Sequence, residues 1–251
     1  MFRREFVPPP PPGVGPGGPS WPPPPPGPEP GEGPRGWEAG PLPEGSQDHA
    51  ALELEHAYQA IARAASAWAG TQTAGPAQGQ LLDLGKALYG RGIAAYGRQA
   101  YGVAAETARA ATAAADAAVH LAESVGANDV VPGLQLPPAA GAAGTGRGAS
   151  GNTVGKSQAA HELVEAYRAT ASVKDMAAGM IPDGETDALI AIVQTLYAAA
   201  YREYEANRSA RARQVGCAVR RGADSVRHLL DATRLRNADL GDEPVPPAPE
   251  F

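Results

Sequence analysis

The sequence has little of what usually holds a small fold together. Its 251 residues include a single cysteine, Cys217, so neither an internal disulfide nor a zinc site of paired cysteines can form. All three phenylalanines lie near the termini, so the aromatic core residues must be tyrosines and Trp68. No apolar run approaches the ~18 residues that indicate a membrane-spanning helix. We therefore expect a protein without a transmembrane segment.

The chain also lacks an excess of positive charge. Its net charge is −6 at pH 7 and its pI is about 5.4, which makes nucleic acid an unlikely partner. The first residues pass directly into proline, without the apolar stretch of a secretory signal. These features predict a cytoplasmic protein.

Glycine and proline are plentiful, at 31 and 26 residues, and most of the proline lies in one place. Such a composition cannot bury enough apolar surface to offset the entropy of ordering. We therefore predict a disordered proline-rich tail over residues 1–45, a linker rich in Gly, Pro and Ala over 127–152, and a disordered tail over 241–251. Proline runs favour the polyproline II conformation, which aromatic grooves bind. The long tail is thus either a plain tether or the ligand of a proline-recognising protein.

Helical patterns fill the remaining segments, residues 46–126 and 153–240. In the first, apolar residues recur with a helical period, and Ser46 and Gly70 are suitable end residues. A second helix is predicted from Pro76 to about Val125. The pattern then repeats, with a shorter helix to Gly179 and a long one to about Leu240. Each long helix would have ~50 residues and extend ~75 Å.

Internal similarity supports this repeat. A shift of 109 positions aligns Leu54 and Tyr58 with Leu163 and Tyr167. A shift of 108 aligns further leucines and tyrosines of the long helices, together with a shared acidic and histidine pattern. The predicted fold is therefore all-α: tandem duplicated helical hairpins that form an elongated four-helix bundle.

That shared pattern, Asp-x-x-x-His-x-x-Glu/Asp, is the sharpest candidate site. Its spacing places three side chains on one helical face, and two such faces could offer carboxylates and imidazoles to a metal. However, both faces lie opposite the apolar side of their helices, and arginines flank the second one, which favours an ion-paired solvated face. The candidate metal ligands are Asp116, His120, Glu123, Asp224, His228 and Asp231.

A second candidate surface is the run of arginines between residues 208 and 236. These cations could bind an anionic ligand. No aromatic residue follows Tyr204 in the same helix, so stacking on nucleic-acid bases has no support.

The distal halves of the two long helices have apolar stripes but no short partner helix within the repeat. They must pair with each other or with another copy. We therefore predict a homo-oligomer whose contact includes Val219, Val226 and Leu230. No catalytic arrangement and no cofactor motif is evident. The favoured function is a non-enzymatic helical interaction or assembly protein, scaffold or adaptor-like, with a proline-rich tether. The alternatives are a metal- or cofactor-binding bundle using His120 and His228, and an arginine-mediated binder of an anionic ligand.

Overall fold

The computed structural model describes residues 43–70, 76–127, 148–180 and 184–241. Over these ranges the chain forms helices and no strand, which confirms the all-α prediction. The predictions for residues 1–42, 128–147 and 242–251 lie outside the described residues. The helices are α1 (Gln47–Gly70), α2 (Pro76–Gly97), α3 (Tyr101–Gly126), α4 (Gly148–Ala178), α5 (Gly184–Glu205) and α6 (Ser209–Gly241).

Several predicted helix ends agree with these bounds. Ser46 precedes α1, and its Oγ accepts a hydrogen bond of 3.2 Å from the backbone amide of His49, as an N-cap residue does. Pro76 is the first residue of α2, where its missing N–H costs nothing. α4 begins at Gly148, earlier than the end of the predicted linker at residue 152.

The prediction of four helices is wrong, because each predicted long helix is two helices in the described chain. α2 ends before Gln99, whose φ is 65°, and α5 ends before Asn207, whose φ is 58°. At the first break the amides of Gln99 and Ala100 donate to the carbonyls of Tyr96 and Ala95, at 2.9 and 3.1 Å. This pair of hydrogen bonds, together with a residue in the left-handed backbone conformation after the helix, is a Schellman C-cap. The chain can therefore reverse without a proline.

Replacing Gln99 with glycine is expected to stabilise the protein. A left-handed backbone conformation costs a side-chain-bearing residue roughly 1 kcal/mol, and glycine adopts it freely. The gain should raise the midpoint of thermal unfolding measured by circular dichroism. Asn207→Gly is the matched control, with a smaller effect, because asparagine tolerates this conformation better than glutamine. Equal shifts in the two variants would contradict this account of the first break.

Helices α3 and α6 occupy the centre of the described structure. α3 contacts α1, α2 and α6, whereas α6 also contacts α4 and α5. The interface between α3 and α6 is narrow enough for Ser225 Oγ to donate to the backbone carbonyl of Ala110, at 2.8 Å. Alanine makes this approach possible, because most buried positions of α3 between Ala104 and Ala122 are alanines. None of the described helices is both long and apolar enough to cross a membrane.

The three residues assigned from the sequence to a contact between copies lie in the core of one chain. Val219 and Val226 are 0% exposed and Leu230 is 1% exposed. The reason is the break in each long helix, which folds the distal halves back so that α6 packs on α3. Those side chains are therefore not on the surface, and self-association by any other surface stays a prediction.

Candidate functional site

The two histidines of the predicted metal faces do not meet. His228 Nδ1 of α6 lies 2.7 Å from Glu106 Oε2 of α3, whereas His120 Nδ1 of α3 lies 3.2 Å from Gln214 Oε1 of α6. These two contacts show that α3 and α6 run antiparallel. Glu106 and His120 are 14 positions apart on α3, or ~21 Å along its axis. The structure therefore separates the imidazoles and gives no dinuclear site between them.

The predicted carboxylates are already in ion pairs. Asp116 lies 3.4 Å from Arg63 of α1, and Asp224 lies 3.3 Å from Arg227 within α6. The other two contacts are 2.9 Å between Asp231 and Arg234, and 3.2 Å between Glu123 and His120. Such partly exposed pairs contribute little to stability, and each of the three aspartates is neutralised by an arginine.

One smaller cluster does bring possible metal ligands together. A ligand atom from each of Glu106, His228 and Asp231 lies within 4.8 Å of the others. The sequence pattern indicates His228 and Asp231 but not Glu106, because the partner on α3 depends on the register between α3 and α6. Arg109 Nη1 lies 2.8 Å from Glu106 Oε1, so a cation already occupies one side of this carboxylate.

This cluster belongs to a charge network that connects α1, α3 and α6. Arg109 donates to Glu53 of α1 at 3.1 Å as well as to Glu106, and Glu106 in turn contacts His228. Burial raises the pKa of Glu106, but the hydrogen bonds and charges of His228 and Arg109 outweigh it, so the pKa lies below its ordinary value. The network therefore favours the ionised carboxylate in the folded state.

Replacing Glu106 with glutamine is expected to lower stability at neutral pH by about 1–3 kcal/mol, because a charge-assisted hydrogen bond is lost. A carboxylate whose pKa is lower in the folded state stabilises the fold above the unfolded pKa of about 4.3. That contribution disappears as the pH falls through the folded pKa. The difference between wild type and variant in urea unfolding should therefore shrink below about pH 4.

Glu123→Gln is the control, since it makes the same change at an exposed carboxylate beside His120. It should change stability little at any pH. If Glu106→Gln lowered the free energy of unfolding by the same amount at every pH, packing and not charge would explain the effect.

An open groove of about 690 Å³ lies beside this network, between α1, α3 and α6. It contains four arginines, as an anion-binding site would: Arg63, Arg109, Arg221 and Arg227. Each has a carboxylate within 4.0 Å, supplied by Asp116, Glu53 or Asp224. An anion would have to displace these carboxylates, so the groove offers little unpaired positive charge.

A second groove, of about 510 Å³, lies between α4 and α5 and is mostly apolar. We call it the tyrosine groove. Tyr167 is 59% exposed, and Val164 and Tyr201 are each 47% exposed, which is high for such large apolar side chains. A smaller depression of about 260 Å³ shares Tyr167 and Tyr197 with it and so extends it along the two helices. The groove is lined by Ala160, Leu163, Val164, Tyr167, Arg168, Tyr197, Tyr201 and Tyr204.

The tyrosines form one surface. The rings of Tyr167 and Tyr197 lie 5.9 Å apart at a tilt of 50°, within the range of favourable aromatic contact. Burial and the neighbouring hydroxyls of Tyr167 and Tyr201 raise the pKa of Tyr197. At one end, Lys156 Nζ lies 5.4 Å from the ring centre of Tyr204. The phenol of Tyr197 therefore stays neutral at physiological pH, and the tyrosines together present ring faces and hydroxyl groups to a ligand.

The face of α1 and α2 that aligns with the tyrosine groove does not have the same exposed apolar residues. By the sequence shifts, Val164 aligns with Glu55 and Tyr201 with Ile93. Glu55 is exposed, and Tyr89, which aligns with Tyr197, is 1% exposed. In the sequence the tyrosines stand out only as repeat matches, because their spacing does not show how exposed they are.

No protein-family model, curated protein or solved structure matches this chain.

Proposed function

We propose that this chain is a non-enzymatic interaction protein, scaffold or adaptor-like, that binds a protein partner in the tyrosine groove. The observation that carries the proposal is the contiguous exposure of Val164, Tyr167 and Tyr201 along one open groove. Exposed apolar patches bounded by polar residues are typical of interaction sites. Tyrosine is among the residues enriched in such interfaces, because a rigid ring offers contact area and a hydroxyl donor together.

The proposal includes an origin by duplication of a helical unit. The hydrogen bonds that end α2 recur at the end of α5, with Asn207 bonded to Tyr204 and Arg208 to Glu203. Each of these residues lies 108 positions after its counterpart in the first half. The contact between His120 and Gln214 corresponds in the same way to the one between His228 and Glu106. On this account the aligned tyrosines are less exposed in the first copy, α1–α3, and the second copy, α4–α6, carries the binding groove.

Site-specific photo-crosslinking tests the proposal. A photoreactive phenylalanine analogue replaces Tyr201 in the full chain, expressed in the cells that produce it. Irradiation is expected to yield a discrete adduct with another polypeptide, identified by mass spectrometry. The matched control places the same analogue at Leu52 of α1, which is 40% exposed and lies outside the groove.

The control at Leu52 should not give the adduct obtained from Tyr201. Identical adducts from both positions would show non-specific capture. The absence of any adduct with another polypeptide from Tyr201 would overturn the proposed function.

A mononuclear metal site is the second candidate function, favoured by the convergence of Glu106, His228 and Asp231. Imidazole and carboxylate are ligands that several first-row transition metals accept. Titration of the purified chain with cobalt(II) tests it, because a bound ion changes its visible absorption when protein ligands replace water. A site predicts a saturable spectrum that Glu106→Gln abolishes and Glu123→Gln retains. A spectrum identical to that of aqueous cobalt(II) would exclude this candidate.

A further inference from the structure

We infer that the tyrosine groove is covered by the chain's own proline-rich segment, residues 22–30, and that a partner must displace it. This inference rests on the proposed function, because it names what regulates the same groove. The segment contains five consecutive prolines at 22–26, followed by Pro28 and Pro30. Proline-rich segments bind aromatic grooves because their conformation is largely preset, so little entropy is lost.

The geometry of α5 suits such a ligand. Tyr197, Tyr201 and Tyr204 follow each other at i, i+4 and i+7, which places them on one helical face. The first and last are ~10.5 Å apart along the axis. One turn of polyproline II advances ~9.3 Å, so prolines one turn apart can each contact one of these rings. A run of five prolines presents pyrrolidine rings on all sides of a polyproline II helix, so the segment can bind without a particular rotation about its own axis.

Charge favours this groove over the related face of α1 and α2. Glu29 and Glu32 lie within or directly after the proline-rich segment. Arg168 lines the tyrosine groove, although its guanidinium also contacts Glu165 at 2.7 Å, and Lys156 lies near Tyr204. On the first face Glu55 replaces Val164 and would repel these carboxylates.

The chain between the proline-rich segment and the described structure is long compared with the helices. Sixteen residues lie between Pro26 and Pro43, the first described residue, which makes 17 steps along the backbone. In an extended conformation they span up to ~53 Å. That exceeds the length of α3, which is ~39 Å for its 26 residues. When a tether of this kind spans its two sites, it gives an effective concentration of about 1 mM, enough to hold a ligand of weak intrinsic affinity.

The test measures whether the native segment competes with an added copy of itself. A fluorescent peptide of residues 20–32 is titrated with the full wild-type chain and with a full chain in which prolines 22–26 are replaced by serine. The serine variant should bind the peptide about tenfold more tightly, because its groove is no longer occupied from within. Adding Tyr167→Ser and Tyr201→Ser to that variant should abolish binding, and adding Leu52→Ser should not.

Every outcome decides the inference. Equal affinity in wild type and serine variant would show that the segment does not cover the groove of its own chain. Binding that survives loss of both tyrosines would place the peptide elsewhere, and no binding to either chain would exclude the segment as a ligand. Each of these results leaves the crosslinking outcome at Tyr201 intact. A positive peptide result without a crosslinked partner would instead reject the proposed function and the displacement by a partner, and leave only the contact between the segment and the groove.

Discussion

Replacing Val226 with aspartate is expected to unfold the protein. Val226 is 0% exposed and belongs to the hydrophobic core that includes residues of α3 and α6. The variant loses the apolar burial of valine, about 1.5–3 kcal/mol. It also buries a carboxylate in this hydrophobic core, which costs several kcal/mol more. Because domains of this size are stable by only about 5–15 kcal/mol, the sum removes most or all of the stability.

Val164→Asp is the matched control for this substitution, since it makes the same chemical change at a valine that is 47% exposed. Surface substitutions usually alter stability by about 0.5 kcal/mol or less. Circular dichroism should therefore show helical loss in Val226→Asp and not in Val164→Asp. A fully helical Val226→Asp chain that sediments as a smaller species than wild type would restore the sequence-based interpretation of a contact between copies.

The break within each predicted long helix is the feature of the fold that the sequence signals did not predict. Ser46, Pro76 and Gly126 are strong end signals, and α1, the start of α2 and the end of α3 follow them. Gln99 is an unusual C-cap residue, since glycine or asparagine usually takes the left-handed conformation. Asn207 does carry that signal. A search for asparagine after an amphipathic run could have found the second break, and the repeat would then have indicated the first.

For a related reason, only part of each candidate site could be predicted from the sequence. Periodicity shows which side chains share a helical face, and it groups His228 with Asp231, both of which the fold brings close to Glu106. It does not show the register of two helices distant in the chain, which selects Glu106 for His228 and Gln214 for His120. Nor does it show how much of an apolar face a neighbour covers. The exposure of Tyr167 depends on that coverage.

Replacing Gly85 with leucine is expected to be strongly destabilising. A Cβ atom at Gly85 would lie 3.3 Å from the carbonyl oxygen of Ala111 and 3.6 Å from the amide nitrogen of Ala115. Both are backbone atoms of α3, so they cannot move aside as a flexible side chain can. The rest of the leucine side chain would have to push α2 away from α3. Overpacking of this kind costs about 1–3 kcal/mol, and more where the backbone must shift.

Gly90→Leu on the same helix separates packing from helix propensity, because a Cβ there meets nothing within 4 Å. Leucine is a better helix former than glycine by up to about 1 kcal/mol, so this variant should be slightly more stable than wild type. Urea unfolding followed by circular dichroism measures both changes. Opposite signs for the two variants are expected, since only Gly85 lies against α3. A stabilising effect at both positions would mean that α2 and α3 do not approach each other as closely as the backbone contacts at Gly85 require.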